Sequence, residues 1–166
     1  MHRSPLRPRT ARPTWNTCAG ASRRGRTSSR RRCVPAYDYA LIRVVPRVER
    51  GEFINAGAVL SCRSGQFLEA RIELDAERLR ALDPGVDVDM VRRHLAAFAT
   101  ICTGGAEAGP IGRLPARERF RWLTAPRSTI IQTSPVHGGH CDDHERMLER
   151  LLDGMVRVPA PAAPAS

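Results

Sequence analysis

The chain has 166 residues, 42% of them apolar, which fits one domain around one ordinary core and argues against two. Its formal charge of +10 points to nucleic acid until the charges are located. Residues 1–36 hold ten arginines and no acid, and the other 17 arginines are matched by 17 acidic residues, so the body is neutral. There is no run of about 18 apolar residues to span a bilayer, and no apolar stretch follows the basic N-terminus as in a secretory signal. Five scattered cysteines without a C-x-x-C pair favour reduced thiols, so a cytoplasmic protein is expected.

Residues 1–36 lack hydrophobic periodicity and contain Pro5, Pro8, Pro13 and Pro35, so they are expected to be a disordered extension. Every basic residue in the chain is arginine, a mark of GC-rich coding DNA, and the extension reads first as sequence translated upstream of a true start at Val34. A solvated tail is the second reading. The third is a basic arm that binds nucleic acid by releasing counterions, with Trp15 stacked on a base. Nucleic-acid binding depends wholly on that arm being genuine.

The body begins with Tyr37 to Val45, rich in β-formers and apolar on much of both faces, which predicts a strand ended by Pro46. Phe53 to Cys62 predicts a second, with a bulge or a close backbone approach at Gly57. After the Ser64-Gly65 turn, Phe67 to Leu74 predicts a third, and the short connections make the three a meander. Asp75 caps a short helix, Ala76 to Leu82. Asp87 or Asp89 caps a longer one, in which Met90, Val91, His94, Leu95, Phe98, Ile101 and Cys102 recur at helical spacing before Gly104-Gly105. Pro115 opens a third helical stretch to Thr124, Ser128 to Thr133 predicts a fourth strand, and Asp143 caps a last helix, Glu145 to Val156. Residues 159–166 read as a disordered Pro/Ala tail. The expected fold over 37–158 is α+β, a mainly antiparallel sheet of about four strands with three or four helices packed on one face.

Tyr37-Asp38-Tyr39-Ala40-Leu41-Ile42-Arg43 and its continuation to Gly57, together with Ala125 to Gly139, resemble the bacterial DUF3037 family of uncharacterised proteins. Gly109 to Gly112 and Glu118 to Leu123 resemble it too, so the likeness covers the body and leaves the extension outside. It implies no assigned reaction. It implies a protein partner, a HipA-like kinase encoded nearby. The run His140-Cys141-Asp142-Asp143-His144 departs from the family, which carries an apolar-polar pair and Asp-Pro after Val-His.

His137, His140, Cys141 and His144 offer zinc-type ligands within eight residues, but the Asp143 cap places His140 ahead of the helix and no second ligand pair occurs, so no metal is expected. No Walker or Rossmann pattern is present, and no cofactor is expected. A more coherent reading is an anion site for phosphate or carboxylate, drawn from Arg43, Arg47, Asn55, Arg127, Ser128, Thr129, Gln132 and His137: guanidinium forks with hydroxyl and amide donors suit such groups. The plain alternative is that Arg43, Arg47, Arg50 and Arg127 form ion pairs with Glu49, Glu52 and Glu118. The expectation is a non-enzymatic accessory or regulatory domain that binds a protein partner or an anionic ligand. Second to it stands a hydrolase or nucleotidyl-type enzyme using Arg127, Ser128 and His137, although no Gly-x-Ser-x-Gly elbow supports one.

Overall fold

In the computed structural model, residues 34–158 are described. The arginine-rich extension to residue 33, with Trp15 and the nucleic-acid reading it carries, and the tail from residue 159 lie outside the described residues.

Strand β1, Ala36–Val44, alternates side chains between two apolar environments and occupies the middle of the sheet. Strand β2, Ile54–Cys62, returns antiparallel to it after a turn at Arg47–Gly51, and β3, Leu68–Ile72, completes the meander. Ile42 faces Gly57 while Arg43 faces Asn55, so Ala56 is an extra residue and β2 bulges there. The close backbone approach expected at Gly57 is present, because a Cβ there would collide with the Arg71 carbonyl of β3, while the bulge itself falls at the preceding Ala56.

On its other side β1 meets an edge strand in two pieces. Strand β4, Ile131–Thr133, pairs with Ile42 to Val44, and β5, His137–His140, pairs with Ala36 to Tyr39. The predicted fourth strand is thus shorter than expected, and the His-Gly-Gly-His segment, where no strand was predicted, is a fifth. Two glycines hide the β signal of β5, and its partner supplies the ladder. Between the pieces, buried Ser134 patches the gap: its Oγ accepts the Leu41 N–H at 2.9 Å, and its own N–H donates to the Leu41 carbonyl at 2.9 Å.

Helices cover both faces of the sheet, where one face was expected. On one face α1 (Ala76–Leu82), α2 (Val88–Thr103) and α4 (Ala116–Leu123) pack Leu79, Leu95, Phe98, Phe120 and Leu123 onto Ala40, Ile42, Val44, Ile54 and Val59. Between α2 and α4 lie one 3-10 turn, Ala106–Ala108, and the four-residue α3, Gly109–Gly112. On the opposite face α5, His144–Met155, sets Leu148, Leu151 and Leu152 on Tyr37, Leu41, Ala58 and Leu60. The N-caps of α1, α2 and α5 are aspartates, Asp75, Asp87 and Asp143, each accepting backbone N–H groups of its helix's first turn. At the other end of α2, Gly104 takes φ 77°, and Arg119 of α4 reaches across to donate to the carbonyls of Ile101 and Cys102 at 2.8 Å each. Among the described residues no helix is long and apolar enough to cross a membrane.

Candidate functional site

Helix α4 turns Phe120 and Leu123 into the core and leaves Trp122 at the surface, 37% exposed. The chain then runs irregularly to β4. Arg127 folds back along this stretch: one Nη donates to the Trp122 carbonyl at 2.6 Å, and the guanidinium lies 4.0 Å from the centroid of the indole. Facing it, α2 presents His94, Phe98 and Ile101. The result is a largely apolar cleft of about 280 Å³ between α2, α4 and the lead-in to β4, with Arg127 and Thr129 as polar groups among its walls. A guanidinium carries five N–H donors, and the Trp122 carbonyl takes one of those of Arg127.

The eight residues expected to form one anion site fall into separate places. Arg127 and Thr129 line the cleft, and Ser128 between them is exposed. The Thr129 hydroxyl donates to the Ile131 carbonyl at 2.7 Å, and the Gln132 amide donates to the Thr129 carbonyl at 3.0 Å. Arg43, Asn55 and Gln132 form a lateral row across β2, β1 and β4 on the α5 face of the sheet, the opposite face from the cleft. There Arg43 stacks over Phe53 at 4.3 Å, and the Asn55 amide donates to the carbonyl of Met155 at the end of α5, at 2.8 Å. Arg43 Nε and Asn55 Oδ1 are buried without a hydrogen-bond partner among the described residues. Arg47 sits in the β1–β2 turn, paired with Asp83 at 3.4 Å and with Glu49 at 4.0 Å, and Arg50 pairs with Glu52 at 2.9 Å. The ion-pair alternative therefore describes Arg47 and Arg50, and it fails for Arg43 and Arg127, which rest on aromatic rings.

His137 stands on exposed β5 with its ring 5.4 Å from that of Tyr39. Its partner on β1 is Tyr39, whereas the Ile130 carbonyl bonds to Val45, six residues along, or about 20 Å at the usual strand rise. Ser128 precedes Ile130 by two residues, so His137 cannot serve it as a base, and the Arg127, Ser128 and His137 enzyme reading loses its geometry. His137 and His140, three apart on a strand, point to opposite faces, and the ring of His144 stacks on Phe67 at 5.3 Å. Among the described residues no three His, Cys, Asp or Glu gather to hold a metal ion.

Sequence reading missed Trp122 and the α2 wall of the cleft. The available signal was Trp122 itself, next to the inward pair Phe120 and Leu123 and five residues before an arginine able to stack on it. Neither the curated proteins nor the solved structures give a match to the chain. The family described as proteins of unknown function, DUF3037, matches residues 39–156, most of the chain's length, and the chain belongs to that family.

Proposed function

We propose that the domain is a binding module that takes an anionic ligand with an apolar body in the cleft between α2, α4 and β4. The observation that carries this reading is the Arg127 guanidinium, held over Trp122 at the cleft with donors left over for an acid group. Phe98, Ile101 and Trp122 would hold the apolar body, and Arg127 would take a carboxylate or phosphate through its forked donors. The HipA-like kinase expected as a partner would meet the same chemistry by offering an apolar side chain beside an acidic one. The thiols of Cys62, Cys102 and Cys141, free among the described residues, suit a reducing, cytoplasmic setting.

The reading is tested by titrating the full chain with 3-phenylpropionate and with its neutral amide, following the indole resonance of Trp122. The acid should bind the more tightly, and Arg127→Gln should weaken it roughly tenfold to a hundredfold, the loss of a charge-assisted bond, with no change for the amide. Equal affinities in the two proteins would remove Arg127 from any binding role. Repeating the comparison with the kinase-like neighbour distinguishes a small ligand from a protein partner.

A further inference from the structure

The other flank of α4 holds a second hollow, of about 410 Å³, that differs in chemistry from the cleft beside Trp122. Arg117 and Arg121, one helical turn apart, line it, with buried Ser61, half-buried Asp38 and Thr124 as its further polar groups. The Asp38 carboxylate is already engaged: Arg63 donates to its Oδ1 at 2.8 and 3.1 Å and to its Oδ2 at 3.3 Å. Arg117 reaches only the Arg63 carbonyl, at 3.3 Å, and Arg121 has no hydrogen-bond or ion-pair partner among the described residues. Two guanidinium groups thus line the hollow while its one carboxylate is neutralised by a third, that of Arg63, which leaves an excess of positive charge in a concave site. Ser61 Oγ makes a single long bond, 3.4 Å, to the adjacent Cys62 carbonyl, so its hydroxyl retains capacity toward the hollow.

We propose that this hollow binds a phosphate monoester carried on a small polyhydroxy body, as in a sugar phosphate or a nucleoside monophosphate. Arg117 and Arg121 supply the donors that a phosphate dianion takes. Ser61, Thr124 and the unfilled lone pairs of Asp38 suit hydroxyl groups, which both give and accept hydrogen bonds. The space far exceeds that of phosphate alone, and its walls mix Phe120 and Val136 with five polar or charged side chains, where those of the Trp122 cleft are largely apolar. This inference stands independently of the ligand proposed for that cleft.

The experiment is titration of the full chain with ribose 5-phosphate, inorganic phosphate and ribose, by calorimetry and by amide resonances. Ribose 5-phosphate should bind more tightly than either fragment and should shift the amides of Ser61 and Thr124. Arg121→Gln and Arg117→Gln, both surface changes, should each weaken it roughly tenfold or more, and Arg127→Gln should leave it unchanged. Unaltered affinity in both Arg121→Gln and Arg117→Gln, binding without shifts at Ser61 and Thr124, or no binding at millimolar ligand would overturn the proposal.

Discussion

Ser134 shows how much one hydroxyl can carry. It sits where the edge strand breaks, and its Oγ both accepts the Leu41 N–H and donates to the Pro135 carbonyl at 2.8 Å. Ser134→Ala would leave the buried Leu41 N–H without a partner, and the expected cost is about 1–3 kcal/mol, read from the denaturation midpoint. A loss under about 0.3 kcal/mol would mean that water or a backbone shift replaces the hydroxyl. Cys102, by contrast, is chemically quiet: burial pushes its thiol up to about 12, against the pull of nearby Arg119, so it stays protonated and unreactive at neutral pH.

Helix α2 is the element that joins fold to cleft, since Leu95 and Phe98 anchor it on the sheet while His94 and Ile101 reach the cleft. Its C-terminal carbonyls depend on Arg119 from α4, so the two helices that flank the cleft are tied at that end. Arg119→Met keeps the aliphatic stem and removes the donors. It should cost about 1–3 kcal/mol and speed amide exchange at Gly104 and Gly105, and unchanged exchange there would show that Gly104 ends the helix unaided. Elements of this kind were legible because their signals are local: three aspartate caps, a 3.6-residue stripe and the two glycines after α2 gave α1, α2 and α5 nearly to the residue, whereas α3, with no such signal, was not predicted. Strand β5 was not, because Gly138 and Gly139 carry no β preference and only β1 gives them partners. The second covered face was half visible, since β1 reads as apolar on both sides, yet nothing local says that α5 supplies the cover. The candidate site was legible only at Arg127 and Thr129, because a cleft between three elements is a tertiary property, and a strand's two faces send Arg43 and Asn55 away from it.

At the scale of the whole molecule, an ion-pair network fastens the second face. Arg157, just past α5, reaches Glu73 beyond β3 and also Glu149 and Asp153, while Arg71 of β3 bonds to Glu69 at 2.8 Å and to Glu149 at 2.7 Å. Hydrogen bonds from Arg157 first, and then from Arg71, hold the Glu149 carboxyl below its ordinary value of 4.5. A carboxylate depressed in the folded state adds stability above its ordinary value, and that addition is lost as pH falls through the lower folded one. The midpoint difference between wild type and Arg157→Gln should therefore be full near neutral pH and shrink below pH 4.5, and a difference constant across that range would detach Glu149 from the network. The interrupted edge strand has a consequence for association between copies. An incoming strand finds three residues of ladder, then Pro135 without an N–H, then four more, so this edge, unlike that of β3, offers no continuous template for cross-chain β pairing. Pro135→Val would restore a donor at the break, and under mild denaturing stress that variant should scatter light earlier than wild type. An identical onset would mean that the protection lies in the shortness of β4 and β5 rather than in the proline.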